Sequence, residues 1–325
     1  MSYDDVTVSV TVMTYNHSKY LSQALDSILG QKVNFSYEII IGDDASTDDT
    51  KEIINHYKNL YPELIKVVLH ENNIGPSKNL YTINNVSSGK YIAVLEGDDY
   101  WIDENKLQKQ IDFLESNVQF IGCASKYLKI DENGKPLRIR YASNRHYHKQ
   151  YTMSHFLKGN VNRLLQFGSL VYRNIFKYNT DYSIIYKAHS MICDGTILSI
   201  LLDLGPIYLF PEQLNAYRVK RKTNAENAVT LMSKNPLKYT LGVLDYADSL
   251  EKHFDYKYSF NAIRNIGVDF SINNRKLLNK AQKEELFKII KMLKITNKIK
   301  CLLRFIKSRI RYYLLYLPKI LLKWS

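Results

Sequence analysis

Three polar clusters stand where apolar, β-branched runs of this chain stop. Thr14-Tyr15-Asn16 follows residues 6–13, Gly42-Asp43-Asp44-Ala45-Ser46 follows residues 37–41, and Glu96-Gly97-Asp98-Asp99-Tyr100-Trp101 follows residues 91–95. In an open α/β sheet, ligands bind beyond the carboxyl ends of the strands, so the three clusters are expected around one crevice. Two adjacent acids after a buried strand suit a divalent cation, because Mg²⁺ or Mn²⁺ takes one or two carboxylates and completes its shell with water and substrate phosphates. Asp98 and Asp99 have that placement. Asp is also common at helix N-caps, which is the alternative for an isolated pair. Beside two other polar clusters, the metal reading is the stronger.

The elements that must hold these clusters alternate strand and helix through the first 126 residues, the pattern of an α/β domain with a largely parallel sheet. Leu21, Ala24, Leu25, Ile28 and Leu29 have helical spacing, with Ser18 as the expected cap and Gly30 as the stop. Ser46 or Thr47 is the expected cap of a second helix carrying Asp48 and Asp49 in its first turn, where the dipole favours acids. Further strands are expected at 64–69 and 120–125, and further helices at 77–86 and around Leu107, Ile111 and Leu114. Asp131-Glu-Asn-Gly134 reads as a hairpin turn. A helix at 192–204 and a strand at 207–210 follow, and beyond Asn224 the chain reads as helical. The expected division is a catalytic domain at 1–224, with halves at 1–126 and 127–224, then a helical region at 225–325.

The motifs Val10-Thr-Val-Met-Thr-Tyr-Asn16, Ala24-Leu-Asp-Ser-Ile-Leu-Gly-Gln31, Tyr37-Glu-Ile-Ile-Ile-Gly-Asp-Asp-Ala-Ser-Thr-Asp48, Asn73-Ile-Gly75 and Gly89-Lys-Tyr-Ile-Ala-Val-Leu-Glu-Gly-Asp-Asp-Tyr-Trp101 occur in this order. Together they resemble the family 2 glycosyltransferases of bacterial cell-surface polysaccharide synthesis. The resemblance covers about residues 6 to 125. It implies the GT-A fold, a Rossmann-like, mostly parallel sheet flanked by helices, here with a C-terminal helical extension. It also implies an inverting transfer of a sugar from a nucleotide-diphosphate sugar, UDP being the expected nucleotide, to a hydroxyl of a glycan or lipid-linked glycan. Carried over residue by residue, it places Thr14 and Tyr15 against the base, Asp44 on the ring edge and Lys78 near the phosphates. Asp98 is implied at the ribose and metal, Asp99 as the direct ligand of Mn²⁺ or Mg²⁺, and Trp101 among the substrate-binding residues. Glu96 stands where many members have the first Asp of a D-x-D. A cation there would stabilise the charge that develops on the departing diphosphate.

An acceptor hydroxyl also needs a base. Cys193-Asp194-Gly195 resembles the segment that supplies an Asp for this in the family, so Asp194 is the expected catalytic base, with a helix N-cap as the alternative. Asp181, Asp203 and Glu212 are weaker candidates. Asn215-Ala-Tyr-Arg-Val-Lys-Arg-Lys222 resembles the family's Tyr-Arg-x-His segment, with Lys220 where the His often stands. Arg218 and Lys220 are thereby implied at the diphosphate, a solvated basic loop being the alternative.

Charge and cysteine usage narrow the partners. The net charge of +13 is local, since residues 286–325 hold 11 Lys or Arg and no acid, leaving 34 basic against 32 acidic residues before them. That speaks against a nucleic-acid surface. Ile299, Leu302, Leu303, Ile306, Ile310, Tyr313, Leu314 and Leu317 share one helical face, and Lys300, Arg304, Lys307 and Arg311 the other. A basic amphipathic helix at about 297–325 is expected to lie on the membrane surface, packing on the protein or a partner being the alternative. Three scattered cysteines and an acidic start, Met1-Ser-Tyr-Asp-Asp, fit a cytoplasmic protein peripheral to the inner face of the plasma membrane. Two other classes compete. A nucleotidyltransferase would need a Gly-rich basic loop near the first strand, which is missing. A non-catalytic sugar-nucleotide-binding or scaffolding homologue would keep the fold and lose the acids, whereas Asp44, Asp98 and Asp99 are present.

Overall fold

Residues 8–14 read Val-Ser-Val-Thr-Val-Met-Thr, and all seven are buried, as the central strand of a sheet covered on both faces requires. In the computed structural model, which describes residues 6–137, 149–159, 165–178, 180–219 and 234–292, this strand is β1 of a nine-stranded sheet. The others are β2 (Tyr37–Asp43), β3 (Ile65–Leu69), β4 (Tyr91–Glu96), β5 (Tyr100–Trp101), β6 (Gly122–Ile130), β7 (Lys149–Tyr151), β8 (Val171–Arg173) and β9 (Ile207–Arg218). Their order is β3-β2-β1-β4-β8-β6-β9-β5, with β7 paired to β9. The pairs β1/β2, β1/β4, β2/β3 and β6/β9 are parallel, while the short β8 runs antiparallel between β4 and β6. The order reverses at β1, which lies between β2 and β4, and the crevice therefore opens where β1 and β4 end.

The helices of this unit are α1 (Leu21–Leu29), α2 (Thr50–Leu60), α3 (Pro76–Asn85), α4 (Lys106–Ser116), α5 (Met153–Phe156), α6 (Ile184–Lys187) and α7 (Cys193–Leu204). Leu21, Ala24, Leu25 and Ile28 of α1 and Leu107, Ile111 and Leu114 of α4 join Val8, Val10, Val12 and Leu95 in one core. Each Leu or Ile buried there contributes roughly 1.5–3 kcal/mol.

Several expected details differ. Ser18 does not cap α1, whose N-cap is Tyr20 without a side-chain bond; the Ser18 amide instead donates to Asp48. Neither Ser46 nor Thr47 caps α2, because Ser46 bonds to Asn16 and Asp43, Thr47 bonds to Asn16, and α2 starts later, after Asp49. The strand expected at 207–210 runs on to Arg218, since β6 continues to Ile130 and pairs with it on both sides of a bulge at 211–214. The turn at Asp131-Glu-Asn-Gly134 forms as expected: the Gly134 amide donates to the Asp131 carbonyl and Ile130 bridges to Pro136.

The chain divides into two units, Met1–Thr223 and Asn224–Ser325. The second contains α8 (Pro236–His253), α9 (Asn261–Asn273) and α10 (Lys280–Met292) around Leu237, Val268, Ile272, Leu278, Leu286 and Ile289. Asn235 caps α8 by accepting from the Lys238 amide, and Pro236 takes the first helical position, where its missing N–H costs nothing. Thr240 and Ser271 hydrogen-bond across α8 and α9 at 2.6 Å. Among the described residues no helix is long and apolar enough to cross a membrane. The basic amphipathic helix expected at 297–325 lies outside the described residues.

Candidate active site

The loops after β1 and β2 are laced together. The Asn16 amide donates to Ser46 Oγ at 2.9 Å, Asn16 Oδ1 accepts from the Thr47 amide at 2.8 Å, and the His17 amide donates to Thr50 Oγ1 at 2.9 Å. Ser46 Oγ in turn donates to Asp43. Asn16 and Ala45 both adopt left-handed backbone, with φ of 54° and 61°. For alanine this conformation costs of order 1 kcal/mol, and such strain concentrates where a site must be shaped. Asp44 is buried beneath, with its two carboxylate oxygens accepting from the Ile74 and Gly75 amides at 2.7 and 3.0 Å. It thereby holds the segment that leads into α3.

At the end of β4 the Gly97 amide donates to the Met13 carbonyl, bringing Glu96-Gly97-Asp98-Asp99 against β1. A Cβ at Gly97 would come within 2.9 Å of His17 Nδ1 and 3.0 Å of Thr14 Oγ1, so only glycine permits this approach. The turn between β4 and β5 then separates two neighbouring acids. The Asp98 side chain is 21% exposed, its Oδ2 3.7 Å from His17 Nε2, whereas Asp99 is 1% exposed. Asp99 Oδ1 accepts from the Arg218 amide at 2.7 Å and Oδ2 from Gln166 Nε2 at 2.9 Å. Both oxygens of Asp99, expected as the direct metal ligand, thus have protein partners, while Glu96 and Asp98 are half-buried. Burial, together with the charges of Asp98 and Glu96, holds the Asp99 carboxyl well above the usual carboxylate range.

Asp194 lies in the first turn of α7, nearly a hundred residues later, and its Oδ1 accepts from the Gly195 amide at 2.7 Å. Burial disfavours its charged form and raises its pKa above that of a free aspartate. The side chains of Tyr217 and Cys193 mark where the segments meet. The Tyr217 hydroxyl is pushed up by burial and by the charges of Glu96, Asp99, Asp98 and Asp194; the Cys193 thiol is pushed up by burial and by Asp194 and Glu96. Glu96, Asp98, Asp99 and Asp194, from two distant segments, thus all lie within electrostatic reach of Tyr217.

Other expected site residues land elsewhere. Trp101 is part of the core: its Nε1 donates to the Gly168 carbonyl at 3.1 Å and its ring lies 4.1 Å from Lys106 Nζ, because β5 points Tyr100 outward and Trp101 inward. Arg218, expected at the diphosphate, is not a solvated loop residue. Its guanidinium donates to the carbonyls of Asp98, Asp131 and Glu132 and to Gln23 Oε1, and it stacks 4.3 Å from the Tyr20 ring centroid. Thr14 is buried with its hydroxyl against Gly97, while Tyr15 beside it is exposed. Lys78 is exposed in the first turn of α3, 5.8 Å from the Tyr186 ring centroid. Lys220 lies outside the described residues.

Sequence reading missed Gln166, Asn215, Tyr217 and His17. Asn215 and Tyr217 stand inside the segment that resembles Tyr-Arg-x-His, where only Arg218 and Lys220 were given roles, and Gln166 sits in a stretch without clear periodicity. His17, directly after Thr-Tyr-Asn, was a second legible signal.

A divalent cation suits this donor set, which consists of hard carboxylate oxygens crowded enough to perturb one another. Among the described residues no group of three or more His, Cys, Asp or Glu side chains is arranged to hold a metal ion. A cation there would have to take one or two carboxylates and the rest of its shell from phosphate and water, as Mg²⁺ usually does.

Residues 9–179 match the profile of the family described as Glycosyl transferase family 2. An uncharacterized protein of Mycobacterium tuberculosis is 39% identical over 127 residues, 39% of this chain and 37% of that protein. The minor teichoic acid biosynthesis protein GgaA of Bacillus subtilis is 37% identical over 139 residues, 41% of this chain and 31% of GgaA. The match thus spans only about a third of the length of either relative. An uncharacterized glycosyltransferase of Nostoc sp. is 25% identical over 236 residues, 73% of this chain and 72% of that protein. Of solved structures, S. aureus TarS 1–349 in complex with UDP aligns over 93% of this chain and 81% of that chain, with a TM-score of 0.54 at 18% identity. That likeness shows a shared fold.

Proposed function

Because the chain belongs to glycosyl transferase family 2 and has the GT-A fold, we propose that it is an inverting glycosyltransferase acting in cell-surface polysaccharide synthesis. Its donor is a nucleotide-diphosphate sugar, foremost a UDP-sugar, and its acceptor a hydroxyl of a glycan or lipid-linked glycan. The observation that carries this reading is the cluster of acids after β4, where Gln166 joins Glu96 and Asp99 and Asp98 Oδ2 stands 3.7 Å from His17 Nε2 after β1, with Asp194 within electrostatic reach of the same Tyr217. UDP is supported by the TarS complexes with UDP and UDP-GlcNAc, and the pathway by the name of GgaA.

In this reading the base lies by the exposed Tyr15 and the Asn73–Gly75 segment that Asp44 holds, and Lys78 at the start of α3 faces the diphosphate. Glu96 and Asp98 would hold Mn²⁺ or Mg²⁺, which when bound would supply positive charge for the departing diphosphate. Asp194 takes the proton from the acceptor hydroxyl, whose oxygen bonds to the anomeric carbon as the carbon–oxygen bond to the diphosphate breaks on the opposite face. Asp99 and Arg218 position the segment from beneath. The basic C-terminal stretch is the proposed attachment to the cytoplasmic face of the membrane, on the strength of its charge.

Purified protein should be screened against UDP-, GDP- and dTDP-sugars with and without Mn²⁺. One nucleotide at about 100 times its Kd should raise stability by about 2.7 kcal/mol, seen as a higher Tm. Protection by UDP and release of UDP in the presence of acceptor support the reading. No protection by any of the three refutes it.

A further inference from the structure

Gln166 is a buried, neutral side chain placed among carboxylates. Its Nε2 donates to Asp99 Oδ2 at 2.9 Å and to Glu96 Oε2 at 3.2 Å, so one amide nitrogen spans two acids. Its Oε1 accepts from Asn215 Nδ2 at 2.6 Å, and Asn215 is fully buried on β9. That bond forbids the flipped amide, because a flip would set two donors against each other and turn a carbonyl onto two carboxylates. The backbone is held as firmly. Ser169 Oγ and the Ser169 amide both donate to the Gln166 carbonyl, and Gln110 Nε2 donates to the Ser169 carbonyl. A Cβ at Gly168 would lie 3.0 Å from Gln166 Oε1, so the glycine leaves room for this rotamer.

We propose that Gln166 is the positioning residue of the carboxylate cluster: its locked amide fixes the Glu96 carboxylate relative to Asp98 and so sets affinity for the divalent cation. The proposal rests on the reading of Glu96 and Asp98 given above. Glutamine meets the requirement where near relatives of it do not. Glutamate would add another acid to the cluster, an apolar residue would leave the Asp99 oxygen and the Asn215 amide without a buried partner, and asparagine is one methylene short.

The test is Mn²⁺ binding, by electron paramagnetic resonance and by calorimetry with UDP present, to wild type, Gln166→Met and Asn215→Ala. Methionine keeps the length and loses both hydrogen-bonding roles; Asn215→Ala removes only the bond that orients the amide. Outer-shell partners of metal ligands are worth 10- to 100-fold in affinity, so Gln166→Met should weaken Mn²⁺ by about that factor and Asn215→Ala by less. UDP binding without metal should stay within about twofold, a split that general loss of structure would not give. If Gln166→Met does not fold, the Asn215→Ala variant decides the matter. Wild-type Mn²⁺ affinity in the folded variants overturns the role of Gln166 alone. A wild type that binds no Mn²⁺ with UDP overturns the cation reading and this proposal with it.

Discussion

Lys106 is fully buried at the start of α4, with Nζ 4.1 Å from the Trp101 ring centroid and no hydrogen-bond partner among the described residues. Burial pulls the amine down from its ordinary 10.5 to about 7, with Cys123 and Asp103 pulling weakly the other way. Between these values the folded amine is neutral while the unfolded one is charged. The unfolded chain then binds more protons, and stability must rise with pH across the window. At 1.36 kcal/mol per unit, the penalty is about 4 kcal/mol at pH 7 and about 2 kcal/mol at pH 9. Lys106→Met fills the same volume with an unbranched apolar chain that packs on the indole and carries no such penalty. The variant should be more stable than wild type by a few kcal/mol at pH 7, and the advantage should shrink by about 2 kcal/mol by pH 9. Urea unfolding of both proteins at pH 6, 7, 8 and 9 gives the difference directly. A difference that does not vary with pH, or a less stable variant at pH 7, refutes the argument that a buried unpaired amine sits there.

Asp194→Asn should still bind the donor nucleotide while transferring sugar about 10²-fold more slowly or worse, measured as UDP release against UDP binding; equal loss of both would make Asp194 structural. In the wild type, the acidic limb of the rate profile should lie above the ordinary Asp range, because burial raises this carboxyl and the base works only once deprotonated. Arg218→Lys should cost roughly 3 kcal/mol by urea unfolding, since one ammonium cannot reach the Asp98, Asp131 and Glu132 carbonyls and Gln23 together; an unchanged midpoint would return Arg218 to the phosphate role. Removal of residues from 297 onward should reduce co-sedimentation with anionic vesicles and its salt sensitivity, while turnover on a soluble acceptor survives. Loss of donor binding in the truncated chain would show that the tail belongs to the catalytic unit.

What the sequence by itself determined is the succession of elements and the three polar clusters at strand ends. Helical spacing in α1 and α4, β-branched runs in β1 and β2, and the Asp-Glu-Asn-Gly turn are properties of neighbouring residues, and those survive into the fold. The direction in which each side chain faces was decided only by tertiary structure. Asp98 and Asp99 are adjacent and chemically alike, yet one borders the crevice and the other is buried, because the Arg218 amide and Gln166 claim Asp99 from strands and turns more than sixty residues away. The run to Arg218 read as a phosphate-binding segment or a basic loop, whereas β6 supplies it a strand partner and the guanidinium donates to backbone carbonyls and Gln23. Local patterning selects helix or strand, whereas long-range hydrogen bonds and burial settle which of several equivalent polar groups is left to meet a ligand.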